Sequence, residues 1–240
     1  MEEKERVRYL KTLTRNTFGL TGNQLKILAL LTMTVDHAGV IFFPSLAFLR
    51  WIGRLAMPIF AWMIAEGCRY TRNRGRYWLG IAALGLACQL VLWVSTGSYY
   101  QGILVVFSLS VGIIFLLDRL KTKTWGKWAF LAVVVGLFGL TELLPPHVPL
   151  WDFAFDYGLC GVMLPVAFYM GKDKKEKLLM GFALLVVLSL RNGFDQWFGL
   201  MSLPLLFLYN GKRGKYRMKY LFYIYYPLHL AVLYALALWI

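Results

Sequence analysis

Long apolar stretches alternate with short polar breaks along nearly the whole chain. A helix needs about 20 apolar residues to cross the hydrocarbon core of a bilayer, with roughly 17–25 tolerated. Most of the stretches meet this requirement, so the pattern predicts an all-α, polytopic transmembrane helix bundle of about nine spanning helices. The predicted spans are 24–43, 47–67, 77–94, 102–117, 128–144, 150–171, 178–190, 196–209 and 219–240.

The seventh and eighth predicted spans are shorter than the others, and we interpret them as a hairpin that falls short of the far membrane surface. Residues 1–20 are charged and contain no continuous apolar segment, which indicates an interfacial lead-in on the cytoplasmic side and argues against a cleavable signal. Residues 21–240 are then a single transmembrane domain without an internal repeat.

The basic residues form clusters at every second break between the apolar stretches. The clusters occupy 4–26, 69–76, 119–127, 172–177 and 212–219. Because cytoplasmic loops are enriched in Lys and Arg, the N-terminus is predicted to be cytoplasmic and the protein to lie in a bacterial inner or plasma membrane. A hydrophobic fraction of 59% excludes an ordinary soluble domain. Contact with anionic membrane lipid accounts for the net charge of +14 without nucleic acid as a partner.

Three basic residues, Arg50, Arg54 and Arg191, lie outside these clusters. An ionisable residue inside a spanning helix costs roughly 2.5–3.5 kcal/mol on insertion scales, and it usually faces the bundle interior and has a function. Asp36 and His37 in the first span are predicted to share a layer with Arg50 and Arg54, which lie one turn apart on the second span. A buried ion pair between Arg54 and Asp36 is expected, and a purely structural role in helix packing is the alternative.

The second span contains two further residues of interest. Glu66 lies at its cytoplasmic end, where the arginines of the 69–76 cluster are its expected partners. Pro58 is predicted to kink the helix between Glu66 and the charged layer.

A second intramembrane histidine, His229, is predicted near the middle of the ninth span. Tyr223, Tyr225 and Tyr226 precede it and either line a polar channel or belong to the interfacial aromatic belt. His147 lies in a predicted outer loop and is interpreted as incidental. The sequence contains no nucleotide-binding loop, hydrolase elbow or metal-binding motif of the common types.

Several motifs of this chain occur in the same order in a known family. They are Leu25-Lys-Ile27, Asp36-His37, the segment 49–61, Glu66-Gly67, Thr71-Arg-Asn73, Asp156-Tyr157-Gly158, Gly161, Tyr209-Asn210-Gly211 and the segment 219–230. In these motifs the chain resembles the TraX family, whose named member acetylates the N-terminus of F-type conjugative pilin. The segment 121–148 shows little resemblance.

The resemblance implies an integral-membrane acyltransferase with acetyl-CoA as the donor. The acceptor is then an amine or hydroxyl of an exported peptide, a glycan or a small molecule. His37 is the leading general base, with Asp36 setting its tautomer directly or through water, and Arg54 either pairs with Asp36 or stabilises the oxyanion. His229 is the competing base, or the acid that protonates the departing thiolate.

The remaining candidates are predicted to bind the substrates. The basic residues at the cytoplasmic mouth are expected to hold the CoA phosphates, and Tyr209 and Asn210 its adenosine or pantetheine portion. The full set of predicted binding residues is Arg50, Glu66, Arg69, Arg72, Tyr209, Asn210, Lys212, Arg213, Tyr223 and Tyr226. The rival hypothesis is a proton-coupled transporter of an anionic solute that uses Arg50, Arg54 and the histidines.

Overall fold

The computed structural model describes residues 19–150, 152–215 and 218–239, without the side chains of 219–222. Most of the predicted lead-in therefore lies outside the described residues. The helices are α1 (Gly22–Phe42), α2 (Ala47–Gly53), α3 (Ala56–Tyr70), α4 (Arg74–Thr96), α5 (Ile103–Leu120), α6 (Gly126–Phe138), α7 (Gly158–Met170), α8 (Lys174–Asn192), α9 (Ser202–Phe207) and α10 (Lys219–Ala237). A π-helical turn, Gly139–Leu143, extends α6, and 3-10 helices occupy Pro145–His147 and Phe194–Met201. The described ranges contain two isolated bridges and no strand, so the all-α class is confirmed.

Five helical segments are long and apolar enough to cross a membrane, and they correspond to the first five predicted spans. They are Gly22–Phe42, Ala47–Tyr70, Arg74–Thr96, Ile103–Leu120 and Gly126–Leu143. Shorter apolar helices, Gly158–Met170 and Tyr223–Ala237, lie within the predicted sixth and ninth spans. The predicted eighth span consists of a 3-10 helix followed by the short α9. The count of nine spans and the cytoplasmic N-terminus stay predictions.

The helix termini that carry the basic clusters meet at one end of the bundle, which we call the basic end. Arg74 at the start of α4 forms an ion pair with Asp118 near the end of α5, with Nη2 and Oδ2 2.7 Å apart. Lys174 at the start of α8 donates from Nζ to the carbonyl oxygen of Tyr209 at 2.8 Å. The alternation of basic and non-basic breaks in the sequence thus corresponds to two ends of the folded bundle.

Loops without basic residues meet at the opposite end. The backbone N–H of Gln101 donates to the carbonyl oxygen of Ala154 at 2.7 Å. The backbone N–H of Tyr99 donates to Oδ1 of Asp152 at 2.8 Å. The segments on either side of α5 and α6 are therefore tied together where α7 begins.

A turn at Arg54 and Leu55 divides the second predicted span into α2 and α3. Pro58 stands four residues after Arg54. A proline cannot donate to the carbonyl four residues earlier, and its ring clashes with that carbonyl. The predicted interruption is confirmed, and this geometry explains why it falls at Arg54 and not at the proline itself.

The most enclosed helix of the bundle is α3, which packs against α1, α5 and α7. Its buried side chains include Ile59, Ala61 and Trp62, and also Glu66 near its basic end. Because α3 begins at the Arg54 turn and ends beyond Glu66, it connects the predicted charged layer with the predicted mouth of the site.

Candidate active site

Two histidines that are 192 residues apart in sequence meet inside the bundle. Nδ1 of His37 on α1 lies 3.2 Å from Nε2 of His229 on α10. The other ring nitrogen of His229, Nδ1, lies 3.1 Å from the carbonyl oxygen of Tyr225. The His229 ring stacks against the ring of Tyr225 and meets the ring of Tyr226 edge-on. The two candidate bases predicted from the sequence therefore form one hydrogen-bonded pair.

The predicted charged layer contains one ion pair, and its partners differ from those expected. Nη1 of Arg50 lies 3.3 Å from Oδ2 of Asp36. Arg54 instead donates from Nη1 to the hydroxyl oxygen of Tyr157 at 3.4 Å. The expected ion pair between Arg54 and Asp36 is therefore wrong, and Asp36 pairs with Arg50 instead.

The end of α2 explains this exchange. A Cβ added to Gly53 would lie 2.2 Å from Cβ of Asp36, so the last turn of α2 packs directly on that side chain. Arg50 lies within this turn and reaches the carboxylate, whereas Arg54 lies beyond the helix end and turns toward Tyr157. Oδ1 of Asp36 and Nε of Arg54 are buried, and neither has a hydrogen-bond partner within the described part of the chain.

A second carboxylate, Asp156, extends this layer at the non-basic end. The hydroxyl of Tyr100 donates to Oδ1 of Asp156 at 2.8 Å. Tyr157, the next residue, has φ 58°, a backbone conformation that is uncommon for a residue with a side chain, and its hydroxyl meets Arg54. The sequence analysis gave neither Asp156 nor Tyr157 a role, although both lie in a motif shared with the TraX family.

A cavity of about 570 Å³ opens at the basic end. Apolar side chains of α1, α3, α4 and α5 form most of its wall. Its polar and aromatic lining residues include Lys26, Glu66, Tyr209, Arg213, Tyr223 and Tyr226. Tyr226 also contacts the ring of His229, so one side chain connects the cavity with the histidine pair.

Comparison with known proteins identifies the family of this chain. A family model described as TraX protein matches residues 21–237. The chain belongs to the TraX family. A probable fimbrial assembly protein FimC, serogroup H1, of Dichelobacter nodosus is 26% identical over 238 residues, which cover 88% of this chain and 93% of that protein. An uncharacterized protein of Rickettsia prowazekii (strain Madrid E) is 53% identical over 36 residues, 15% of this chain and 14% of that protein. No solved structure matches.

In this TraX chain the cavity brings together half of the predicted binding residues. Those that line it are Glu66, Tyr209, Arg213, Tyr223 and Tyr226. Tyr209 presents its hydroxyl, which is able to donate a hydrogen bond, at the cavity wall near the Glu66 carboxylate.

The other predicted binding residues lie outside the cavity lining. Arg69 donates from Nη2 to the carbonyl oxygen of Tyr169 at 2.8 Å and so ties α3 to α7. The side-chain oxygen of Asn210 accepts from the backbone N–H of Lys212 at 2.9 Å, which shapes the turn before the basic segment. Arg72 is exposed on the loop after α3, and Arg50 belongs to the charged layer.

Glu66 has a different partner from the one predicted. Nζ of Lys177 on α8 lies 2.9 Å from Oε1 of Glu66, and both side chains are almost fully buried. The same ammonium group lies 5.2 Å from the ring centre of Trp62. The arginines of the 69–76 cluster are thus not needed to neutralise Glu66, and the correction follows from the packing of α8 against α3.

Sequence reasoning did not identify Lys26 as a candidate site residue and treated it only as a member of the basic cluster 4–26. It lies one turn into α1 and lines the cavity together with Asn23 and Leu30. The spacing of these residues along α1 is helical and continues to His37, which is the signal that could have identified Lys26. Among the described residues, no three His, Cys, Asp or Glu side chains are grouped so as to hold a metal ion.

Arg191 was singled out because the topology does not explain it. Its Nη1 donates to Oε1 of Glu142 at 2.6 Å, and the same oxygen accepts from the backbone N–H of Leu159 at 2.7 Å. Glu142 therefore links α8 to the first turn of α7. The arginine has a structural partner outside the candidate site.

Proposed function

We propose that this TraX-family protein is an integral-membrane acyltransferase that moves an acetyl group from acetyl-CoA to an amine or hydroxyl of an acceptor. The observation that carries the proposal is the cavity at the basic end, one of whose lining residues, Tyr226, contacts the ring of His229. A basic opening suits a polyanionic donor. A buried pair of imidazoles suits proton transfer during acyl transfer.

The dimensions of this path fit the thin part of the donor. From Lys26 to His37 the axis of α1 rises about 16 Å, at about 1.5 Å per residue. An extended pantetheine arm is roughly 15–20 Å long by chain geometry. With its phosphates beside Lys26 and Arg213 at the opening, the donor would present its thioester near the histidine pair.

The charged layer supplies the remaining chemistry of the proposal. The imidazole pair takes the proton of the acceptor as its nitrogen or oxygen attacks the thioester carbonyl carbon. Arg54, whose Nε has no partner among the described residues, is suited to stabilise the oxyanion that forms. Asp36 and Arg50 neutralise each other and hold α2 against α1.

The acceptor approaches from the non-basic end in this proposal, where Asp156, Tyr100 and Tyr157 lie beside Arg54. The name of the Dichelobacter nodosus relative, a probable fimbrial assembly protein, favours a subunit of a surface structure as the acceptor. Another exported peptide, a glycan or a small molecule has the same reacting groups. An acceptor of this kind implies the bacterial inner membrane as the location.

Binding of the donor is tested with detergent-purified protein and acetyl-CoA by calorimetry. Arg213→Ala should weaken binding about tenfold, whereas Lys123→Ala in the exposed loop after α5 is the matched control because its side chain lies outside the cavity lining. Dephospho-CoA should bind more weakly than CoA. Equal affinities of both variants and the wild type would place the nucleotide elsewhere.

Acetyl transfer is tested with labelled acetyl-CoA and a panel of peptide, glycan and small-molecule acceptors. The rival hypothesis, transport of an anionic solute, remains attractive because Arg50 and Arg54 lie in the bundle interior. A solute transporter should show no tight binding of CoA and should instead move the solute into proteoliposomes. Absence of CoA binding in folded protein would favour the transporter.

A further inference from the structure

The hydrogen bonds of the histidine pair determine which ring nitrogen is able to accept a proton. The carbonyl oxygen of Tyr225 only accepts hydrogen bonds, so Nδ1 of His229, 3.1 Å away, must carry a hydrogen. A neutral imidazole has one N–H, and Nε2 of His229 is then an acceptor. Its partner at 3.2 Å, Nδ1 of His37, must therefore be the donor.

Both rings are neutral in this arrangement because nothing nearby compensates a positive charge. Within the described ranges, no carboxylate oxygen lies within 4.0 Å of a ring nitrogen of His37 or His229. An uncompensated charge inside an apolar bundle costs several kcal/mol, typically about 2.5–3.5 on insertion scales. The carboxylate nearest to His37 in sequence, that of Asp36, forms an ion pair with Arg50.

We infer that His37 is the base, through Nε2, and that His229 is a positioning residue that fixes its tautomer. The inference rests on the proposed function for the role of the base, whereas the tautomers follow from the geometry alone. The hydrogen-bonded chain runs from Nδ1–H of His37 to Nε2 of His229 and from Nδ1–H of His229 to the carbonyl of Tyr225. It leaves the lone pair of His37 Nε2 available.

The side chains around the pair hold the two rings in position. The hydroxyl of Tyr225 lies 2.7 Å from Oγ1 of Thr34, which ties α10 to α1 one turn before His37. The ring of Tyr225 stacks on His229 with 10° between the ring planes. His229 and the backbone thus set the tautomer of His37, the task first assigned to Asp36. The backbone of Met33 on α1 also forms a hydrogen bond with the His37 ring.

The proton balance of the transfer is then defined. Nε2 of His37 takes the proton of the acceptor N–H or O–H while the acceptor atom bonds to the acetyl carbon. The carbon–sulfur bond breaks, and the CoA thiolate receives that proton from His37. During this step Nδ1–H of His37 remains hydrogen-bonded to His229, which stabilises the transient imidazolium. The transfer neither oxidises nor reduces any group.

The tautomers are measured by nitrogen NMR of protein labelled with ¹⁵N-histidine in detergent micelles. The chain has three histidines, and His147→Gln removes the exposed loop residue as a control for assignment. His37 and His229 should both be neutral with the hydrogen on Nδ1. A hydrogen on Nε2 of His37 would overturn the inference even in an active enzyme.

Kinetics separate the positioning role from a structural one. His37→Gln should lower kcat at least about 10²-fold, the usual contribution of a general base, with the KM for acetyl-CoA unchanged. His229→Leu should lower kcat about tenfold to a hundredfold and shift the His37 signal away from the Nδ1–H tautomer. His229→Gln, whose amide oxygen is able to accept a hydrogen bond from His37, should restore part of kcat and part of the Nδ1–H signal of His37. Full activity of His229→Leu, or no rescue by His229→Gln in folded protein, would exclude the positioning role.

Failure of the proposed function has a different signature. If the wild type transfers no acetyl group from acetyl-CoA to any acceptor, while both rings show the Nδ1–H tautomer, the geometry holds and the acyltransferase proposal fails. If the wild type transfers acetyl and His37→Gln remains active, the assignment of the base fails alone.

Discussion

The carboxylate of Glu66 accepts a hydrogen bond from the ammonium group of Lys177 at 2.9 Å, across 111 residues of sequence. Both side chains are about nine-tenths buried, at 10% and 11% exposure. The pair fastens α8 to α3 beside the cavity. Its burial makes each charge dependent on the other, because a lone charge there would have lost its hydration without compensation.

Lys177→Met should therefore destabilise the protein by about 3–5 kcal/mol, as expected when one partner of a buried ion pair is removed. The double variant Glu66→Gln/Lys177→Met should recover much of that loss. The free energy of unfolding is measured by reversible denaturation in mixed micelles. A single variant as stable as the wild type would show that the pair is solvated in the protein.

Arg50 and Arg54 should differ in what their removal affects. Arg50→Ala strands the Asp36 carboxylate and should lower the melting temperature by several degrees. Arg54→Ala removes a cation that has no carboxylate within 4.0 Å among the described residues. Arg54→Ala should therefore lower the melting temperature less than Arg50→Ala does. It should lower kcat for acetyl transfer about 10²-fold, which is the usual effect of losing one oxyanion-stabilising donor. The same loss of stability in both variants would contradict the observed pairing.

Gly53 allows α2 to pack on Asp36, so a methyl group there should disturb the charged layer. Gly53→Ala would place Cβ 2.2 Å from Cβ of Asp36 and should cost about 1–3 kcal/mol, the usual cost of overpacking. Gly136→Ala on α6 is the matched control, because a Cβ there meets nothing within 4 Å. Thermal unfolding of both variants checks the prediction, and an unperturbed Gly53→Ala would indicate looser packing of α2 on α1.

The orientation of the bundle is tested by labelling of single cysteines from outside intact cells. After replacement of Cys68, Cys88 and Cys160, which are buried and free, Thr96→Cys and Lys175→Cys place a thiol at opposite ends. A membrane-impermeant maleimide should label Thr96→Cys at once, and Lys175→Cys only after permeabilisation. Thr96 is exposed, whereas the nearby Ser98 is buried and hydrogen-bonded to Asp152. The reverse labelling pattern would invert the predicted topology.

The sequence by itself determined most of the helices of this protein and which ionisable residues lie within them. Apolar length fixed the positions of the first five spans, because a helix in lipid must satisfy its backbone internally over the full thickness of the core. Basic clustering separated the two ends of the bundle. The cost of burying charge singled out Asp36, His37, Arg54, Glu66 and His229, all of which lie in the bundle interior or at the cavity.

Only the tertiary structure decided which of these residues meet. The sequence predicted an ion pair between Arg54 and Asp36 and indicated for Lys177 only a place in the basic cluster 172–177. A sequence shows the depth of a residue along its helix, but it does not show how one helix is rotated against another. A turn at Arg54, caused by Pro58, directs Arg50 to Asp36 and Arg54 to Tyr157. The contact between His37 and His229 joins α1 to α10, and its hydrogen bonds depend on side-chain directions that no periodicity in the sequence contains.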